Sequence, residues 1–226
     1  TLLVDHASRL LHFTPHISTG AKEAILAKHQ FELFASGFNR QIKRYHADNG
    51  IFATKLFRES CTRNKQQLSF CGVDAHHQNG IAERHIRSIT ERACTMLIHA
   101  MISWPDIITE HLWPYALRLA VDLHNLTPGL SGFSREEVFS GVKRPNKLSD
   151  FHPFGCPVFV LDPTLQQGHK IPRWKPRSRV SIYLGRSPEH ASSVPLVLST
   201  TTGLISPQFH VVFDDNFTTT SCLHMN

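Results

Sequence analysis

Two acidic segments carry the residue types needed to hold a hard divalent cation. They are Tyr45-His46-Ala47-Asp48-Asn49-Gly50 and Gln78-Asn79-Gly80-Ile81-Ala82-Glu83-Arg84. Carboxylates at a strand end and at a helix start, each beside a Gly-containing loop, offer the oxygen ligands that Mg²⁺ or Mn²⁺ takes and shares with phosphate. That is phosphodiester chemistry, with Asp48 and Glu83 as candidate catalytic acids and metal ligands. Each acid also has a plainer explanation. Asp-Asn-Gly is a common turn tripeptide, and a glutamate in a first helical turn is favoured by the helix dipole.

The neighbouring residues suit a polyanion. Arg84 and Arg87 flank Glu83, with Arg87 one turn along, so the same helix face offers an acid for metal and bases for phosphate. The Gln78 and Asn79 amides can bond base edges or phosphates, and Gly80 allows close approach; helix capping by Asn79 is the competing explanation. His76 and His77 diverge on any regular element and have no partner at zinc-finger spacing, so they read as polar loop residues. A second basic cluster, Lys170, Arg173, Lys175, Arg177, Arg179 and Arg186, falls within the segment 170–186 with Trp174 and Tyr183 interleaved. It suits contact with a nucleic-acid backbone, its alternative being a solvated sheet face.

The elements that must position these residues are legible from periodicity. Val4 to Thr14 reads as two strands and a short turn. Gly20 to Ser36 reads as a helix with Ala24, Ile25, Lys28, Phe31 and Phe34 or Ala35 at helical spacing, ended by Gly37. Gln41–His46 is a short strand delivering Asp48, Ile51–Cys61 a helix, and Gln67–Cys71 another strand. After a polar loop, 73–80, a long helix runs from Ile81 to Ala100 with Ile86, Ile89, Ala93, Met96, Leu97 and Ala100 as its buried stripe. Pro105 breaks it, and a further helix covers Thr109 to Leu126. From Phe154 the helical period gives way to β-branched runs at 180–184, 194–199 and 209–213, a small all-β module. Alternating strand-rich and helix-rich pieces suit an α/β layer fold.

Composition narrows the class. The 226 residues are 41% hydrophobic, enough for a real core, and contain no long uncharged apolar run and no signal-peptide pattern, so an intracellular protein without a membrane partner is expected. Five widely spaced cysteines without a Cys-x-x-Cys pair signal neither a disulfide framework nor a structural zinc site, and Cys94 and Cys156 are expected in apolar surroundings. A net charge of +6, from 24 basic and 18 acidic residues, is a mild excess that fits a polyanion partner. Sixteen histidines add charge below about pH 6.5.

At the two acidic segments the chain resembles the integrase core of copia-type retrotransposons, in which an Asp-Asn-Gly strand end and an Asn-Gly-(Val/Ile)-Ala-Glu-Arg helix start carry the last two of three catalytic acids. Phe133 to Gly141 is similar to the segment closing that core, although its usual proline is replaced. Tyr183-Leu184-Gly185-Arg186-Ser187 and Ser206 to Phe213 are similar to the basic, barrel-like module that follows it. The resemblance implies an RNase H-like mixed sheet flanked by helices over 1–144, a linker over 145–153, a small β-barrel-like domain over 154–217 and a frayed tail over 218–226. It implies DNA as partner, both element ends and target, with Mg²⁺ or Mn²⁺ as cofactor. The intact parent would be a nuclear homo-oligomer. The first acid of the family lies upstream of a Val-Asp-x-x-Ser-Arg hairpin like the one at Val4 to Arg9, so Asp5 is expected to be structural and the chain to be an N-terminally truncated core, inactive alone. A non-catalytic DNA-binding protein derived from such an element is the alternative. An unrelated RNase H-like nuclease would leave the β module unexplained.

Overall fold

In the computed structural model of the chain, which describes residues 1–72, 79–129, 131–143 and 148–223, Leu2–Val4 (β1) and Leu11–Phe13 (β2) form the expected antiparallel hairpin. Leu3 pairs with His12 and Val4 with Leu11. Its turn is made by Asp5, whose Oδ2 accepts from both the backbone N–H and the hydroxyl of Ser8 at 2.7 Å. Arg9 takes the left-handed conformation, φ 63°, that brings the chain back.

Ala21–Ser36 (α1) buries Ala24, Ala27, Lys28, Phe31 and Ala35, a face at three- and four-residue steps. Gly37 caps it as expected but stays right-handed, and the reversal of handedness falls on Asn39, φ 56°. Arg44–Ala47 (β3) and Gln67–Phe70 (β4) run parallel, with His46 opposite Ser69 and Ala47 opposite Phe70. Parallel strands require a crossover. Here a short 3₁₀ turn, Ile51–Ala53, leads into Lys55–Arg63 (α2), where a single helix was expected.

α1 serves both strand pairs. Leu10, Phe31, Ala35 and Phe139 form one apolar cluster with Leu3, Phe34 and Phe38 around them; Ala24, Tyr45, Phe57 and Cys61 form a second, and Ile42 packs against both. Between these clusters sits a polar hub. Lys28 is fully buried, its Nζ 2.8 Å from Glu32 Oε1. The same carboxylate accepts from the Tyr45 hydroxyl at 3.0 Å, Gln66 Nε2 at 2.6 Å and Asn64 Nδ2 at 3.1 Å. Gln66 Nε2 also donates to the Ile42 carbonyl. Glu32 therefore ties α1 to β3 and to the turn entering β4.

Gly80–Ser103 (α3) is the long helix anticipated from the period. Ile89, Ala93, Leu97 and Ala100 are buried, but Ile86 is 46% exposed and Cys94 is exposed, correcting two expectations. The inward row runs through His85, four residues before Ile89, which places Ile86 on the flank. The helix Trp113–Leu126 (α4) follows, burying Ala116, Leu119, Ala120 and Val121. Its Asn125 hydrogen-bonds twice to Leu11 of β2, accepting from the backbone N–H at 2.9 Å and donating to the carbonyl at 2.8 Å. Arg135–Ser140 (α5) opens with a capping box between Ser134 and Glu137 and ends at Gly141, φ 73°.

The chain divides into two units, Thr1–Ile89 with Val121–Pro145, and Thr90–Ala120 with Asn146–Asn226. In the first unit the strands form two separate pairs among the described residues, where one mixed sheet was expected; β1 and β3 are each hydrogen-bonded to a single neighbour.

In the second unit, Pro157–Leu161 (β5), Ser178–Arg186 (β6), Pro195–Ser199 (β7), Ile205–Pro207 (β8) and Val211–Phe213 (β9) form one antiparallel sheet in the order β8-β7-β6-β5-β9. Its edges, β8 and β9, do not pair among the described residues, so the small β domain is present as an open sheet and not as a closed barrel. The central strand β6 is buried from Ser181 to Leu184, including Tyr183, and bulges between Tyr183 and Gly185. Trp104 donates its indole N–H to the Gly155 carbonyl at 2.8 Å. Gly155 has φ +83°, and a Cβ there would stand 2.5 Å from the Ala100 Cβ. Pro163–Gln166 (α6) is a single turn capped by Asp162. The segment expected to fray instead forms Thr218–Leu223 (α7), because Asp214 Oδ2 accepts from the Thr219 N–H and the hydroxyls of Thr218 and Thr219. Of the expected linker, 145–147 lie outside the described residues, and Leu148–Asp150 is a 3₁₀ turn.

Candidate functional site

Asp48 follows directly on β3, whose position is set by the Tyr45 hydroxyl on Glu32 and by Tyr45 packing edge-on against Phe57 at 6.1 Å. Burial alone would raise the Glu32 carboxyl, but the hydrogen bonds from Lys28 and Gln66, the Lys28 charge and the Tyr45 hydroxyl outweigh it and hold Glu32 below its usual range. Burial, then the adjacent Glu32 charge, pushes the Tyr45 hydroxyl strongly up, so it stays a donor. The strand end beneath Asp48 is thus held by an ionised carboxylate and a protonated phenol.

The turn at Asp48 is held from the parallel neighbour. Asn49 Nδ2 donates to the Cys71 carbonyl at 3.0 Å, and the Cys71 N–H donates to the Ala47 carbonyl at 3.1 Å. His46 reaches Ser69 Oγ at 3.0 Å with Nδ1 and Cys71 Sγ at 3.6 Å with Nε2. Asp48 itself is exposed, and among the described residues its one hydrogen bond is a long one, 3.4 Å from the Gly50 N–H to Oδ1, which leaves its other oxygen without a partner there.

Glu83 lies in the first turn of α3 and is exposed. Neither an ion pair nor a hydrogen bond engages its carboxylate among the described residues, although Arg87 lies one turn on. Arg84 folds back so that Nε donates to the Gly80 carbonyl at 3.0 Å; Arg87 projects into solvent. Asn79 is half-buried at the helix start. Gln78, with His76 and His77, lies outside the described residues.

Asp5 differs from both acids. One of its oxygens accepts from the Ser8 N–H and hydroxyl and holds the β1–β2 turn. The donor chemistry of Asp48 and Glu83, two exposed carboxylates with free oxygens, fits a hard divalent cation that keeps several of its waters. Among the described residues no group of three or more His, Cys, Asp and Glu side chains is placed to hold a metal.

Sequence reasoning did not find the residues behind the site. His46, Ser69 and Cys71 meet only through the β3–β4 register, and Glu32 collects partners up to 34 positions away. Another such group is His85, whose ring meets that of His124 edge-on at 5.1 Å. Burial, then the charges of Arg9, Arg135 and Arg84, lowers the His85 pKa. The hint in the sequence was the helical row 85, 89, 93, 97.

The second basic cluster is split by the structure. Lys170, Arg173, Lys175 and Arg177 are exposed, whereas Arg179 is half-buried in β6 and Arg186 stacks on Phe151 at 5.0 Å. Tyr183, interleaved in sequence, is 1% exposed and belongs to the core, a correction to its expected place among the contact residues. Trp174 is 91% exposed.

No protein-family model matches the chain. It is 30% identical over 222 residues to the retrovirus-related Pol polyprotein from transposon RE1 of Arabidopsis thaliana, covering 95% of this chain and 14% of that protein. For the polyprotein from transposon RE2 of the same plant the identity is 28% over 231 residues, covering 97% and 14%. The chain thus spans about a seventh of the length of these curated relatives. Solved structures with a similar course include a simian T-cell lymphotropic virus intasome in complex with PP2A regulatory subunit B56 gamma, with TM-score 0.48, 17% identity, and 94% of this chain and 70% of that one covered. The catalytic core domain of BIV integrase follows, with TM-score 0.45, 19% identity and coverage of 61% and 82%. The HTLV-2 integrase catalytic core domain in complex with magnesium gives 0.44, 20%, 61% and 82%.

Proposed function

We propose, from its kinship with the retrovirus-related Pol polyproteins of plant transposons, that this chain is an integrase-type segment that works on DNA as part of a longer polyprotein. The observation that carries the reading is the pair of exposed carboxylates at the end of β3 and the start of α3, neither in an ion pair among the described residues, with Arg84 and Arg87 beside the second in sequence. In this reading Asp48 and Glu83 would hold Mg²⁺ or Mn²⁺, which would lower the pKa of an attacking hydroxyl and neutralise charge on the leaving oxygen. The chain's own residues do the positioning. Asn49 and the β3–β4 register fix the Asp48 turn, and Arg87 and Arg84 offer cations to phosphate.

Two acids are available where the resemblance implies three, since Asp5 is engaged in its turn. We therefore propose that this chain by itself binds DNA without joining it. Metal binding followed by Mn²⁺ electron paramagnetic resonance is the test of the site: Asp48→Asn and Glu83→Gln each weaken it by about tenfold or more. Equal binding by wild type and both variants would sink the assignment. A Glu83-dependent joined product, formed by the chain alone with oligonucleotide ends and Mn²⁺, would overturn the proposed inactivity.

A second reading, a DNA-binding protein derived from such an element without catalysis, is favoured by the exposed basic turn of the second unit. It predicts metal-independent DNA binding that survives loss of Asp48 and Glu83. A core over 1–144, a linker over 145–153 and a β module over 154–217 are our proposed division, to be tested by limited proteolysis. Nuclear homo-oligomers on element and target DNA are proposed for the parent polyprotein. No helix among the described residues is long and apolar enough to cross a membrane.

A further inference from the structure

The segment between α6 and β6 carries four cationic side chains and one indole, three of these five on a tight turn. The Lys175 N–H donates to the Pro172 carbonyl at 3.1 Å, which places Arg173 and Trp174 at the two central positions of the turn. Pro172 and Pro176 bracket it and restrict the backbone on both sides. Its base is fastened to the sheet by the Asp162 N–H, which donates to the Arg177 carbonyl at 2.8 Å. The tip is therefore held in place.

What the tip presents is an indole 91% exposed, with the exposed Lys170, Arg173, Lys175 and Arg177 all within four residues of it along the chain. None of these five side chains makes an ion pair, side-chain hydrogen bond or ring contact among the described residues. No acid occurs from 163 to 177. Asp162, at the foot of the segment, is held low first by its hydrogen bonds from Thr164 and then by the charges of Lys175 and Arg179. An exposed indole beside several cations offers an uncovered π face next to positive charge, the pairing that single-stranded nucleic acid uses.

We propose that Trp174 is a stacking platform for an unpaired base, and that Arg173, Lys170 and Arg177 hold the flanking phosphates of a single-stranded nucleic-acid segment. A base inside a duplex has both faces stacked on its neighbours, whereas an unpaired base offers a free π face, and cations around the ring track the backbone on either side. The proposal rests on the reading of this chain as a DNA-binding segment. It adds to it a preference for unpaired strands or overhangs over duplex.

The test measures fluorescence anisotropy of labelled single-stranded and blunt duplex oligonucleotides of equal length against the whole chain. Trp174→Ala weakens single-strand binding about five- to thirtyfold, leaves duplex binding and the salt slope unchanged, and is largely rescued by Trp174→Phe. Arg173→Ala with Lys170→Ala lowers affinity for both ligands and flattens the salt slope. Unchanged single-strand binding by Trp174→Ala, alongside a charge-variant loss, overturns the stacking role while leaving DNA binding intact. An equal loss on both ligands also overturns it, marking a groove or backbone contact. Absence of binding by the wild-type chain to either ligand overturns the underlying DNA reading as well.

Discussion

The side-chain amide of Asn125 acts as a strand for Leu11, accepting from its N–H at 2.9 Å and donating to its carbonyl at 2.8 Å. The two groups it satisfies point away from β1 and would otherwise be open on the outer edge of β2.

Asn125→Ala leaves both backbone groups without partners and is expected to cost about 2 kcal/mol. Asn125→Asp costs more, because a carboxylate oxygen replaces the donor facing the Leu11 carbonyl. Urea denaturation measures both, and equal midpoints for wild type and Asn125→Asp would refute the pairing.

Glu32 is expected to contribute to the acid limb of the stability profile. Its folded pKa is held below its unfolded value, so its contribution is complete above about pH 4.3 and is lost as pH falls through the folded value. Glu32→Gln flattens that limb. It also leaves the buried Lys28 charge uncompensated, at about 3–5 kcal/mol near neutral pH. Lys28→Met costs less, since Glu32 keeps Tyr45, Asn64 and Gln66. A double-mutant cycle over pH 3–7 checks the sign and size.

The exposed position of Ile86 makes a specific demand. Ile86→Lys is expected to change stability by less than about 0.5 kcal/mol, whereas Ile89→Ala, at a site 1% exposed, costs about 2–4 kcal/mol. Thermal unfolding of the two variants separates the observed helix face from the one read off the sequence.

Long periodic elements were legible because their burial repeats many times: α1, α3 and α4 could be read, as could the strands at 180–184 and 194–199. The strand end at Asp48 and the helix start at Glu83 were legible from local turn and helix signals. Less was readable where one residue of phase decides the outcome, as with Ile86 and His85 at the first turns of α3. Tyr183 shares its segment with exposed basic residues in sequence, yet the alternation of a central strand turns it inward. The Glu32 hub, the Asn125 bridge and the Asp214 cap of α7 each join residues through geometry that no local pattern encodes. The open edge between β8 and β9 is likewise a matter of long-range pairing.

Gly155 constrains how this chain can change over time. A methyl at 155 would press 2.5 Å from the Ala100 Cβ on a backbone with φ +83°, and Gly155→Ala is expected to cost about 2–4 kcal/mol. Ala100→Gly removes the nearer contact but leaves the Ala100 Cα at 3.2 Å and the dihedral unchanged, so it restores only part of the loss. Positions 100 and 155 are therefore coupled in one direction: a side chain at 155 is admitted only if both the close approach of Ala100 and the left-handed backbone at 155 change together.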